Sequence, residues 1–151
     1  MIVSLPFPTC GDSHKNYVTN SHNIYVTTRL TFPELHQALA AVKKLCQRWK
    51  DMIQSYGMGL SVGIHKGDVL ILRSYVYGND IHTTVGLTDL SRMILSSSEC
   101  SVIASQRIRS EARGTIWEPN FRELDSNPIT DEPYRTLVEE HGAYQFVVSD
   151  Q

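Results

Sequence analysis

Two short stretches and two threonines between them hold most of the side chains in this sequence that could do chemistry. Gly63-Ile64-His65-Lys66-Gly67-Asp68-Val69 sets an imidazole, an ammonium and a carboxylate in one glycine-bounded turn. Leu90-Ser91-Arg92-Met93 carries a guanidinium, whose planar and permanently charged fork matches anionic oxygens. Thr83 and Thr88 offer hydroxyls that both donate and accept. His65 has no second His, Cys or carboxylate at a metal-ligand spacing, so it reads as a structural histidine rather than a zinc ligand.

Regular elements must position these residues. Thr31 and Glu34 form a T-x-x-E capping box with Pro33 in the first turn. Leu35, Ala38, Leu39, Val42, Leu45, Cys46, Trp49, Met52, Ile53 and Tyr56 then recur at helical spacing. The pattern predicts a helix over 32–56, ended by Gly57, with Trp49 and Tyr56 as core anchors. Lys43, Lys44, Arg48 and Lys50 lie on its solvated face.

After the helix the period changes to two. Leu60, Val62 and Ile64 alternate with Gly59, Ser61 and Gly63, which predicts a strand with one buried face. Lys66-Gly67-Asp68 is a turn, and the apolar run Val69–Leu72 predicts a strand buried on both faces. Gly78-Asn79-Asp80 is a second turn, followed by an expected strand over 81–85. Leu87, Leu90, Ile94 and Leu95 predict a second helix. Val102-Ile103-Ala104 is a buried strand, and Ser105 is placed to cap a brief helix through Ala112. Strands are expected at 2–7, 24–30, 121–124 and 144–148, with a polar segment containing Pro128 and Pro133 between the last two. Helices mixed with adjacent strands predict an α+β domain, a sheet with helices packed on it.

The chain has 151 residues, 41% of them hydrophobic, and a formal net charge of −2. That is one domain able to bury a core, with no global basic field to attract nucleic acid. Cys10, Cys46 and Cys100 have no metal-like spacing and are odd in number, so they read as reduced thiols of a cytoplasmic protein. The start has no basic segment followed by a long apolar run, so no secretory signal is expected. No stretch approaches the ~18 apolar residues of a membrane span.

The order of these pieces resembles the class III adenylate and guanylate cyclase catalytic domain. In that family a long amphipathic helix leads into a strand ending in G-I-H-x-G-x-V. A β-hairpin follows, then a strand ending in a G-D-T-V-N turn, a helix with A-S-R-M, and a short strand. Gly63–Val69, Thr83–Gly86, Leu90–Met93 and Val102–Ser105 carry the likeness, which spans about residues 31–148. It implies a ferredoxin-like βαββαβ core and a head-to-tail dimer, either a homodimer or a heterodimer with another cyclase domain. It implies a nucleoside triphosphate as ligand, ATP rather than GTP, and two magnesium or manganese ions. Arg92 then matches the arginine that approaches the α-phosphate, Thr83 the base-reading position, and Thr88 the position that orients the ribose.

The sequence also departs from the family. No F-x-D-I/M-x-G-F-T motif is present, and Gly11-Asp12 is left to supply the metal-binding carboxylate, Asp12. Residues Met1–Pro6 resemble the strand that normally follows the metal-binding G-D. The segment Gly86–Arg92 is two residues shorter than its counterpart, and Thr88 stands in place of an asparagine. The expectation is a divergent N-terminal segment over 1–30 and a cyclase-like domain over 31–151. The domain is N-terminally incomplete or degenerate, and inactive alone. The alternatives are an active adenylate cyclase that forms cyclic AMP with a partner subunit, and an unrelated α+β ligand-binding module.

Overall fold

The apolar stripe beginning at Leu35 decides the architecture. In the computed structural model, which describes residues 1–8, 25–53, 59–72, 75–94, 100–124 and 129–148, that stripe forms α1 (Leu35–Ile53). Before it run β1 (Ile2–Pro8) and β2 (Tyr25–Thr31), and after it β3 (Leu60–His65). Next come the hairpin strands β4 (Leu70–Leu72) and β5 (Tyr75–Tyr77), then α2 (Asp80–Ile94) and β6 (Cys100–Ala104). The chain continues through α3 (Gln106–Glu111), a 3-10 turn (Glu118–Asn120) and β7 (Phe121–Glu123) to α4 (Glu132–His141) and β8 (Tyr144–Phe146).

Six strands form one mixed sheet in the order β2-β1-β3-β6-β8-β7. β3 and β6 run parallel, with Leu60 opposite Cys100 and Ile64 opposite Ala104. β1 is antiparallel to both β2 and β3, and β8 is antiparallel to both β6 and β7. The α+β class expected from the element order holds.

Two apolar layers flank the sheet. On one face Leu35, Ala38, Leu39, Val42 and Cys46 of α1 meet Leu60, Val62, Ile64, Val102 and Ala104, with Ile108 of α3 and the aromatic group Trp117, Phe121 and Phe146. Trp49 packs against this core as expected, whereas Tyr56 and Gly57 lie outside the described residues. On the other face Leu87 and Leu90 of α2 meet Ile103, Ile129 and Ala143. Tyr134, Leu137 and Val138 of α4 pack against them.

Several expectations are corrected. Residues 81–85 are helical: α2 begins at Asp80 and absorbs the predicted strand. Its β-branched residues are accommodated because Thr84 Oγ1 donates to the Asp80 carbonyl at 2.8 Å and Thr88 Oγ1 to the Thr84 carbonyl at 2.9 Å. β3 is buried along its whole length instead of on one face, because its small residues receive α2. The Leu70 strand, expected to be buried on both faces, belongs to a separate hairpin, and Leu70 is 58% exposed. Thr31 pairs with Ile2 at the end of β2 and is no helix cap. Ser105 does precede α3, but its hydroxyl makes no cap bond.

The segment read as polar connection holds α4, whose first turn has Asp131 in the cap position and Pro133 just inside. The cysteines also depart from expectation: Cys46 of α1 and Cys100 of β6 are joined in a disulfide.

Candidate functional site

The turn after β3 and the first turn of α2 are built into each other. A Cβ at position 63 would collide with the Thr84 carbonyl and the Thr88 hydroxyl, so Gly63 is what lets α2 lie directly on β3. A Cβ at position 67 would collide with the Asp80 carboxylate. Into that space Asp80 turns its side chain. Its Oδ1 accepts from His65 Nε2 at 3.1 Å and its Oδ2 from the Asp68 backbone N–H at 2.9 Å. The glycines and histidine of the Gly63–Asp68 motif thus form a cradle for the start of α2. A carboxylate at a helix N-terminus also complements the positive end of the helix dipole.

His65 is fully buried at the end of β3. A carboxylate accepts only, so its bond fixes the histidine proton on Nε2 and leaves Nδ1 bare. Among the described residues Nδ1 has no hydrogen-bond partner. Burial dominates the histidine's proton affinity and lowers it below the ordinary value; the bond and charge of Asp80 oppose this without overcoming it. For Asp80, burial pulls upward, but the bonds from His65 and the Asp68 amide outweigh it and hold the carboxyl below its ordinary value.

His141, the last residue of α4, completes the cluster. Its ring stands edge-on to His65 with centroids 5.6 Å apart, and its Nε2 is 3.4 Å from Thr83 Oγ1. Ser105 lies beside His65, where the β3–β6 register runs out, and its backbone N–H donates to the Ile64 carbonyl at 3.0 Å. Its buried hydroxyl has no partner among the described residues.

Outside this cluster an open groove of about 670 Å³ runs over Lys66, Gly67, Asp68, Gln106, Arg107, Ser110 and Glu111. Lys66 Nζ pairs with Glu111 at 2.7 Å, and Arg107 reaches the Lys66 carbonyl at 3.4 Å. The groove lies at the carboxyl ends of the parallel strands β3 and β6, a common place for ligands on such sheets.

The three residues matched to nucleotide contacts all fall on α2. Thr83 is buried and faces His141; Thr88 is buried and bonded to the helix backbone. Arg92 is in the last turn, 39% exposed, and pairs with Asp89 at 2.9 Å. Nine residues separate Thr83 from Arg92, which sets them about 180° apart around the helix and about 13 Å apart along it. Thr88 and Arg92 share a side of α2, and Thr83 does not join them. Asp12 lies outside the described residues.

No group of three or more His, Cys, Asp or Glu side chains among the described residues is arranged to hold a metal. The carboxylate set that two magnesium or manganese ions require is not assembled by these residues. No described helix is long and apolar enough to cross a membrane.

Asp80 and His141 are the members of the cluster that the sequence did not mark. Asp80 stood in a Gly-Asn-Asp turn, and only its place as the first residue of a helix would have singled it out. His141 was hidden with α4, whose Asp131–Pro133 start was the available signal. Comparison with family models, with curated proteins and with solved structures gave no match.

Proposed function

We propose that this chain is a nucleotide-cyclase-like module of intracellular signalling, which acts through association with a cyclase-type domain and does not form cyclic nucleotide by itself. The observation that supports the reading is the order of elements around the Gly63–Asp68 motif. The motif ends β3, the hairpin β4–β5 follows, a Gly-Asn-Asp turn opens α2, and β6 returns parallel to β3. That follows the succession the family likeness implies except at one place: no strand stands between the hairpin and α2, where residues 81–85 are helical.

The same geometry speaks for inactivity of the isolated chain. Arg92 lies 12 residues beyond the start of α2, about 18 Å along the axis, and on the side away from Thr83. One bound triphosphate would not meet both. A partner domain supplying metal-binding carboxylates would have to use Arg92 without Thr83 or Thr88, both of which are buried.

The test is direct. The chain is incubated with ATP or GTP and manganese, alone and mixed with a catalytically complete cyclase domain, and cyclic nucleotide is quantified. The expected result is no product from the chain alone and a change in the partner's turnover on mixing. Turnover by the chain alone would establish the active adenylate cyclase instead. No association with any cyclase domain, combined with a strict monomer at high concentration, would leave the α+β ligand-binding module with its groove at Lys66 and Arg107.

A further inference from the structure

We propose that the groove between the Lys66–Asp68 turn and α3 is a binding site for a small zwitterion, a ligand with one carboxylate and one ammonium group as in a free amino acid. This goes beyond the proposed function and does not depend on it, since the site is read by ligand binding and not by cyclic nucleotide.

The groove has the size and the place of a ligand site. Its volume of about 670 Å³ is that of a small-molecule pocket, and it opens at the carboxyl ends of the parallel strands β3 and β6. Both of its walls are fixed. The turn is tied to α2 through the Asp68 N–H, which donates to Asp80 Oδ2 at 2.9 Å. The start of α3 is tied to β3 through the Ser105 N–H, which donates to the Ile64 carbonyl at 3.0 Å.

The charges that line the groove fall into two sets. Lys66 Nζ and the Glu111 carboxylate stand 2.7 Å apart and neutralise one another. Arg107 and Asp68 form no such pair. The Arg107 guanidinium donates through Nη1 to the Lys66 carbonyl at 3.4 Å and meets no carboxylate among the described residues. The Asp68 side chain is exposed, and its carboxylate has no partner among the described residues. One cation on α3 and one anion on the turn thus line the same groove with hydrogen-bonding capacity unused.

A neutral donor stands beside the cation. Gln106 Nε2 donates to Ser110 Oγ at 3.3 Å, so the Ser110 hydroxyl keeps its own proton for another acceptor. Arg107 and Ser110 are three residues apart on α3 and therefore neighbours on its surface. Together they offer a ligand carboxylate a guanidinium fork and a hydroxyl, while Asp68 across the groove offers an ammonium group its acceptor.

The balance of charge selects the zwitterion over simpler ions. Lys66 and Arg107 are matched by Asp68 and Glu111, so the groove as a whole has no net charge to attract a plain anion or a plain cation. A phosphate drawn to Arg107 also meets the field of both carboxylates. A ligand with both charges gains at each end and meets a like charge at neither.

Titration of the isotope-labelled full chain at neutral pH, followed by its amide resonances, tests the site. The probes are glycine, β-alanine, γ-aminobutyrate and ε-aminocaproate, which differ in the distance between their two charges. Propionate, propylammonium and inorganic phosphate are the single-charge controls. At least one zwitterion is expected to give saturable shifts at residues 66–68 and 106–111 and to bind about tenfold more tightly than any control, the factor that one charge-assisted hydrogen bond supplies. Arg107→Gln and Asp68→Asn, both at exposed positions, should each weaken that binding by about tenfold, with the amide resonances of α1 unmoved. Absence of saturable shifts with every zwitterion overturns the proposal. So does a control that binds as tightly, phosphate then marking a plain anion site, and so does unchanged affinity in either variant.

Discussion

The carboxylate of Asp80 occupies the space that a side chain at position 67 would need. This relationship explains why glycine stands at the second end of the Gly63–Gly67 motif, and Gly63 plays the equivalent part against the α2 backbone. The two sites differ in what would have to move. Gly67→Ala displaces a side chain, while Gly63→Ala pushes on the Thr84 carbonyl and with it the helix. Overpacking of this kind typically costs about 1–3 kcal/mol. Gly63→Ala should therefore lower the urea midpoint more than Gly67→Ala, and Gly67→Ala should free the His65 ring, seen as a shifted imidazole resonance. Equal or negligible losses would show that α2 does not rest on these glycines.

Asp80→Asn tests the cradle from the other side. An amide can still accept from His65, but its NH2 group faces the Asp68 N–H, donor to donor, and one bond is lost. The Asp68 N–H is exposed and regains water, so the cost is the net worth of one hydrogen bond, about 0.5–1.5 kcal/mol, read as a lower urea midpoint.

The pH profile separates the two ionisable partners. Both His65 and Asp80 bind protons less readily in the folded chain than when unfolded, so acid favours unfolding through each. The contribution from His65 is complete above its ordinary value of 6.5 and is lost as pH falls through its lower folded value. That from Asp80 is complete above 3.8 and is lost as pH falls through its own lower folded value. Urea titrations across pH 2.5 to 8 should show two falls in wild-type stability and only the upper one in Asp80→Asn. Persistence of the lower fall would assign it to other carboxyl groups.

Arg92 offers a test of the catalytic reading. Its ion pair with Asp89 is a half-buried i, i+3 contact on a helix, and helix pairs of this spacing are worth about 0.2–0.5 kcal/mol. Arg92→Ala should melt within a few degrees of wild type. If a partner domain uses this arginine against a phosphate, the variant loses the change in turnover seen on mixing while still associating. Unchanged turnover would make Arg92 an ordinary surface residue of α2.

The sequence made α1 legible because a long apolar stripe at helical spacing admits one reading. It misplaced the start of α2 because Ile81, Thr83 and Val85 alternate like a strand, and local propensity there favours extended backbone. Tertiary context decided otherwise: Asp80 is anchored by His65 and the Asp68 amide, and the threonine hydroxyls turn back onto the helix carbonyls. The exchange of burial between β3 and β4 has a related cause. Gly59, Ser61 and Gly63 look like a solvent face, yet small residues are also what a closely packed helix requires. The His65–Asp80–His141 cluster was not legible because its members come from three elements and no local pattern links them.

The Cys46–Cys100 link joins the middle of α1 to the start of β6 across 54 residues. Under a chain-entropy account, closing a loop of that size restricts the unfolded chain far more than the folded one, and such links typically contribute about 2–4 kcal/mol. Reduction should therefore lower the urea midpoint of the wild type. It should leave Cys46→Ala, which has no link to lose, unmoved. Of three cysteines, two are joined, which leaves one thiol to react when the chain is denatured without reductant. Three reactive thiols under that condition would mean that Cys46 and Cys100 are only neighbours. The cytoplasmic reading would then regain the support that the link removes, because a reducing compartment keeps such pairs open.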